Sequence, residues 1–415
     1  MPVRKETCYP QGFVELIYKI AGILNLTHID FMCQFGTEDI DSFYNGVYRV
    51  DIIGRREGQR IKKTVIIKWH PDQEARVYFR ESYKREYVIY QYLVPRFLDI
   101  QRHFKIIEGL KIKFPNCIFA STDNDKETIV VHGLQEDGFR LHDRFLKLDI
   151  SHATLVMKYL AKLHALSFIF AETHPKEFEL IRNLCYKDVQ YCDPSRMPKT
   201  VEFYYDASVN VVSDPVVKEK LKALGSDILS VLNKCTLPVP RYSTFCHADC
   251  WNNNILYKYK VGLIHGRRPV DVVLIDYQLA RYASPITDIS YFLYMSSDTE
   301  FLTHYYDQAL EIYYGTLSAV LRQCNLDINN IFPRDIFQKH LKKYSVLGLI
   351  EALISMMIIT APCEEALKMT ETIYQLNDSV YASKHQYEPL FVERVNGVVN
   401  HFFDRGYSVN SVLNK

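Results

Sequence analysis

Three oxygen-bearing side chains in two short stretches could act together: Asp249, Asn254 and Asp276. The first two lie in Phe245-Cys246-His247-Ala248-Asp249-Cys250-Trp251-Asn252-Asn253-Asn254-Ile255-Leu256-Tyr257, the third in Val270-Asp271-Val272-Val273-Leu274-Ile275-Asp276-Tyr277-Gln278. His247-x-Asp249, with Asn254 five residues past the aspartate, has the spacing of a phosphoryl-transfer catalytic loop. Asp276 follows 27 residues after Asp249, at the end of an apolar run. Phosphoryl transfer is mostly positioning plus charge neutralisation. One carboxylate, Asp249, accepts the proton of an acceptor hydroxyl. An amide oxygen and a second carboxylate hold Mg²⁺, a hard ion that prefers oxygen ligands; spacing selects Asn254 over Asn252 and Asn253, with Asp276 as its partner. Singly, each has a plainer reading, because Asp and Asn populate turns, caps and loops. Their joint order and strand–loop–strand setting carry the assignment. His247 braces the loop in this reading.

The elements that must hold these groups fall into two parts. Gly46–Ile53 and Thr64–Trp69 read as a β-hairpin around Arg55–Gly58. A long helix from Val77 to Phe97 follows, with Tyr83, Glu86, Tyr87 and Tyr90 on one face and Pro95 ending or kinking it. Two strand-like runs, 116–120 and 128–131, precede a break at Gln135–Gly138. The boundary is placed there: a smaller nucleotide-binding part, 1–134, and a larger catalytic and substrate-binding part, 135–415. Helices dominate from Ser151, over 152–170, 218–233, 301–323, 333–362 and 364–376, with a polar loop over 185–197 and short strands over 245–279. The fold class is α+β.

Composition narrows the function. A chain of 415 residues calls for two or three packed units, and 48% apolar with 24% charged residues is ordinary for a globular protein. Lys plus Arg (50) balances Asp plus Glu (49), so no net field favours nucleic acid or an anionic membrane. Tyr344–Ala361 is apolar, but Glu351 near its middle, with Ser345, Ser355 and Thr360, marks a buried helix and not a bilayer span. No export signal is visible, so the ten scattered cysteines are expected to be reduced and the protein cytoplasmic. Cys246 and Cys250 have no second Cys/His pair at zinc spacing. The 30 Tyr and 23 Phe suit either a Tyr-rich core or a pocket for a bulky apolar ligand. No obligate protein partner is evident.

The segments His247–Leu256 and Ile275-Asp276-Tyr277-Gln278-Leu279-Ala280-Arg281-Tyr282-Ala283-Ser284-Pro285 together resemble the ecdysteroid kinase-like family, small-molecule kinases related to choline kinases and aminoglycoside phosphotransferases. Leu160–Ala165, Thr287–Leu293 and the helix around Gly348-Leu349 extend the resemblance, from about Phe35 to Asp404. It implies a two-lobed protein-kinase-like fold with ATP between the lobes, Asp249 as catalytic base, and Asn254 and Asp276 as Mg²⁺ ligands. Asp276-Tyr277-Gln278 stands where protein kinases carry Asp-Phe-Gly, and no Ala-Pro-Glu follows, which counts against a flipping activation segment. Lys68, after Ile66-Ile67, fits the strand lysine that reaches the phosphates. Glu86 fits its ion-pair partner, with Glu81 the rival. No G-x-G-x-x-G is present. The best phosphate loop is Asp41-Ser42-Phe43-Tyr44-Asn45-Gly46, where Ser42, Asn45 and Gly46 could offer backbone N–H groups; a plain surface turn is the alternative. Val131-His132-Gly133-Leu134 occupies the hinge, making Val131 and Gly133 nucleotide contacts. Asp288 is expected to cap a helix or brace the loop, and His164 to be a packed core histidine.

The expected activity is ATP- and Mg²⁺-dependent transfer to the hydroxyl of a small organic molecule, such as an ecdysteroid or xenobiotic. Two other readings stay open: a weak or inactive binding protein that keeps the fold, and a metallohydrolase using His247-x-Asp249.

Overall fold

The structure is a computed structural model that describes residues 9–35, 46–70, 73–124, 126–186, 199–261, 267–374 and 388–413. The chain begins with α1 (Gln11–Ile23) and β1 (Thr27–Phe35), then a tight hairpin of β2 (Val47–Arg56) and β3 (Gln59–Lys68) turning at Glu57-Gly58, where both residues have positive φ. After α2 (Gln73–Val88), α3 (Val94–His103), β4 (Cys117–Ser121) and β5 (Thr128–His132), a five-stranded antiparallel sheet is complete in the order β1-β2-β3-β5-β4. Phe13, Ile17 and Ile20 of α1 pack on Val50, Ile52, Val65 and Ile67, the alternate residues of the hairpin's inner face. This is the small lobe's core.

The expected helix over 77–97 is longer and not ended by Pro95. It runs through a π turn, Ile89–Leu93, directly into α3. Proline lacks the N–H for the bond back to residue 91 and its ring crowds that carbonyl; a widened turn just ahead of it accommodates both defects. Ile89, Leu93 and Phe97 enter the larger lobe's core, so this helix ties the lobes together.

A 3₁₀ turn at Leu134–Asp137 leads to β6 (Phe139–Leu141), which pairs with a strand of the second lobe. That lobe continues with α4 (Ile150–Thr173), α5 (Pro175–Tyr186), α6 (Lys199–Asn210), α7 (Pro215–Leu224) and α8 (Ile228–Thr236). Next come β7 (Thr244–Cys246), β8 (Ile255–Val261), β9 (Arg267–Leu274) and β10 (Arg281–Ala283). It closes with α9 (Ile286–Ser296), α10 (Thr299–Gln323), α11 (Ile328–Ile331), α12 (Arg334–Thr360), α13 (Cys363–Tyr374) and α14 (Pro389–Asp404). The single helix expected over 218–233 is two helices, broken at Gly225–Asp227, where glycine lowers helix propensity and a short 3₁₀ turn intervenes. The loop expected over 185–197 gives up Cys185 and Tyr186 to α5; its remainder lies outside the described residues. The result is a two-lobed α+β fold.

Helices α4 and α12 are long and apolar enough to cross a membrane by length and composition, yet 78% and 67% of their apolar windows are buried in the protein. α12 meets α9 with almost no separation: a Cβ on Gly348 would lie 2.4 Å from the carbonyl carbon and oxygen of Ser290. Overpacking of this kind costs about 1–3 kcal/mol. Gly348→Ala is therefore expected to lower urea unfolding stability by that amount, while Gly315→Ala, where a Cβ meets nothing within 4 Å, serves as the control that does not.

Candidate active site

β7 delivers the catalytic-loop segment, and the loop holds its shape through its own backbone. His247, fully buried, donates from Nε2 to the carbonyl of Ile275 (2.9 Å) and accepts the Asp249 N–H at Nδ1 (3.3 Å). Burial lowers its pKa despite the nearby carboxylates, so both nitrogens do the work of a neutral ring. With both spent this way, His247 is a brace, and the metallohydrolase reading loses its ligand. Asn254 donates from Nδ2 to the Asp249 carbonyl (3.0 Å) and to Asp249 Oδ2 (2.8 Å), while its own carbonyl accepts the Ile275 N–H (3.0 Å). Asp249, Asn254 and the residue preceding Asp276 are thus one hydrogen-bonded unit.

Asp249 is buried, and its Oδ1 accepts a 2.7 Å hydrogen bond from the Tyr291 hydroxyl on α9. Burial, with repulsion from Asp276 second, pushes its carboxyl up to about 7; the Tyr291 and Asn254 hydrogen bonds oppose the rise. Asp276 has φ 69°, a left-handed conformation unusual for a non-glycine residue and common where function imposes backbone strain. Lys68, at the end of β3, reaches it across the lobes: Nζ lies 2.7 Å from Asp276 Oδ1 and 2.7 Å from Glu86 Oε2. Burial alone would lower the lysine's pKa, but the two carboxylates outweigh it and hold the ammonium charged. Glu86 is raised by burial, against the pull of Lys68. Glu81 is instead exposed and paired with Lys84 on its own helix, which resolves the choice between the two glutamates.

Tyr277 is anchored. Its hydroxyl meets Tyr159 Oη (3.0 Å), which in turn donates to the Lys113 carbonyl (2.7 Å), and its ring packs on His247 at 4.6 Å. A buried residue bonded this way holds the Asp276 segment in place.

Gly46, Lys68, Glu86 and Asp276 line one small cavity of about 20 Å³ with His70 and Tyr83, room for a water or an ion. Gly46 has φ 111°, and a Cβ there would come within 2.5 Å of the His70 ring, so only glycine fits. Ser42 and Asn45 lie outside the described residues. Val131 and Gly133 do not line this cavity. Val131 is held in the sheet opposite Ile66 and Cys117. The Gly133 N–H is spent on the Thr64 carbonyl (2.9 Å), and a Cβ would strike Thr64 Cγ2 at 2.7 Å. What this glycine supplies is the close approach of hinge to β3.

Behind the loop lies a second layer, in which Asp288 takes the bracing role of the two expected for it. Asp288, fully buried in the first turn of α9, does not cap that helix. Its carboxylate accepts the N–H groups of His247 (2.7 Å) and Ala248 (2.8 Å) and lies 3.1 Å from His164 Nε2, whose Nδ1 meets the Tyr313 hydroxyl at 2.8 Å. Burial would raise its pKa, but His164 and the loop amides prevail and keep it ionised. His164 is therefore a working hydrogen-bond partner within the core. With Cys246 and Asp288 it forms a trio of ligand-type atoms within 4.8 Å, but burial pushes the Cys246 thiol up to about 12, and the other two are already engaged. No local signal identifies Tyr291; its partner is 42 residues away.

A two-lobed fold with a lysine–glutamate pair on one side and an Asp–Asn loop on the other defines a kinase-like protein. The family model of the ecdysteroid kinase-like family matches residues 39–326, and the chain belongs to that family. The match ends ahead of α11, short of the expected limit at Asp404. Among solved structures, a choline kinase from Cryptosporidium parvum Iowa II is similar at 14% identity and TM-score 0.37, covering 96% of this chain and 98% of that one. A glucosamine kinase is similar at 12% identity and TM-score 0.37, covering 97% and 87%. No curated protein matches.

Asp288→Asn is expected to cost about 1–3 kcal/mol, the penalty for leaving a buried donor unpaired, and to speed hydrogen exchange at the Ala248 amide selectively. Unchanged exchange there would separate Asp288 from the loop.

Proposed function

We propose that this protein transfers the γ-phosphoryl group of ATP to a hydroxyl of a small organic molecule. The observation that carries the reading is the junction itself: Lys68, held by Glu86, meets Asp276, whose neighbour Ile275 is bonded to the Asp249–Asn254 loop. The donor set fits a hard cation. Asn254 commits its Nδ2 to Asp249, which leaves its amide oxygen, with the Asp276 carboxylate, to hold Mg²⁺. When bound, the ion supplies neutralisation of phosphate charge. Asp249, oriented by Tyr291 and Asn254, accepts the acceptor's hydroxyl proton at a carboxylate oxygen. Lys68 holds the phosphates, and Glu86 keeps the lysine extended. Gly46 lets the chain pass close to the same cavity. The family suggests an ecdysteroid or xenobiotic alcohol as acceptor, and the free buried thiols Cys246 and Cys250 suit a reducing compartment such as the cytoplasm.

Incubation with Mg·ATP and a panel of hydroxylated small molecules, ecdysone among them, is expected to yield a product heavier by one phosphate. Asp249→Asn should lower turnover by about 10³-fold or more while retaining the thermal shift given by Mg·ATP. Lys68→Met should abolish much of that shift. Equal turnover by Asp249→Asn removes the proposed base, and a wild-type protein without any Mg·ATP shift removes the nucleotide.

A further inference from the structure

A second cavity, of about 350 Å³, opens in the large lobe and shares no lining residue with the one that holds Lys68. Its volume falls within the roughly 300–1,000 Å³ of small-molecule sites. Three parts of the chain build its walls. Phe178 and Arg182 come from one face of α5, Pro238, Pro240 and Arg241 from the segment between α8 and β7, and Tyr282 from β10. Each proline fixes its own φ, so the middle wall is stiff.

The polar groups of this cavity are nearly all donors. Tyr282 is only 8% exposed, its ring edge-on to Phe178 (5.5 Å) and tilted against Phe245 (5.7 Å). Its hydroxyl enters no hydrogen bond among the described residues, whereas buried polar groups are ordinarily paired. Burial pushes that hydroxyl up to about 12, against the pull of Arg182, so it remains a protonated donor. The Arg182 guanidinium lies 5.9 Å from the Tyr282 ring centre. Arg241 is exposed, has φ 69°, and makes no ion pair or hydrogen bond among the described residues. Against these two cations stands one carboxylate, Glu179, paired with Arg182 at 2.5 Å. That pair is half-exposed and one helical turn long, a geometry worth little in water, so an incoming anion can displace it.

We propose that this cavity binds an organic anion, a phosphate or sulfate monoester of an apolar alcohol. Arg182, Arg241 and the Tyr282 hydroxyl hold its oxyanion, and its apolar body lies against Phe178 and the two prolines. The placement connects the site with the loops already described. Tyr282 pairs across the β10–β7 ribbon with Phe245, two residues ahead of His247, so an occupant rests on the ribbon that leads into the catalytic loop. The proposal does not depend on the phosphotransferase reading, although that reaction would make a product of this class.

The test is calorimetric titration of the whole protein with naphthyl phosphate, naphthyl sulfate, naphthol and inorganic phosphate, without nucleotide. Naphthyl phosphate or sulfate is expected to bind at least about tenfold more tightly than naphthol or inorganic phosphate. Arg241→Gln should weaken the anion by about tenfold and Tyr282→Phe by about fivefold or more, since each removes one donor to a charged group. Glu179→Ala, which frees Arg182, should tighten it by about twofold or more. Lys68→Met should leave it within about twofold. Equal affinity for the phosphate and the sulfate assigns the cavity to organic anions in general, and a preference for the phosphate to phosphate monoesters. Loss of binding in Lys68→Met places the anion at the nucleotide cavity and overturns the proposal. So does an unchanged affinity in both Arg241→Gln and Tyr282→Phe, binding of naphthol as tight as that of the anions, or no binding of either monoester at millimolar concentration.

Discussion

The site depends on keeping carboxylates together where water is scarce. Asp249, Asp276 and Glu86 are drawn into one region, Asp249 and Glu86 buried, and like charges at low dielectric repel strongly. Three counterweights hold them. Lys68 stands between Glu86 and Asp276; Tyr291 and Asn254 donate to Asp249; and the Ile275 backbone links the two loops in both directions. The proposed phosphoryl transfer would use this concentration of negative charge to hold a divalent cation, so in that reading the strain and the chemistry have one origin.

A second buried anion does mechanical work without joining the chemistry. Asp288 gathers two amides of the catalytic loop and is itself held by His164 and, through it, Tyr313. The loop is thus bolted to α4, α9 and α10, the helices of the large core. The lysine arm belongs to the sheet lobe, and the continuous helix carries Glu86 just ahead of the π turn and the core residue Phe97 just beyond it. The left-handed backbone at Asp276 and Gly46, and the missing side chains at Gly133 and Gly348, occur where one stretch of chain must come close to another.

Much of the site was legible because its key intervals are short. His247, Asp249 and Asn254 lie within eight residues of chain, so their mutual placement is a local matter of loop geometry. Lys68 and Glu86 were legible as the end of a β-branched strand and the inward face of the next helix. The hinge was harder: Gly133 has the position of a nucleotide contact, but its amide bonds Thr64, a pairing that depends on sheet register. Pro95 reads as a stop or a kink; the helix does not stop, because the packing of Phe97 into the large core outweighs the local defect, which one widened turn absorbs.

The sequence alone determined which groups are available, their order, and the class of chemistry they suit, because residue type and short spacing are properties of the chain itself. Partner choice came only with tertiary structure. Tyr291, His164 and Asp288 sit on helices whose apolar faces dictate burial but say nothing about which neighbour is met. That was decided by the packing of α9 against α4 on one side and against α12, at Gly348, on another, a fit of surfaces far apart along the chain.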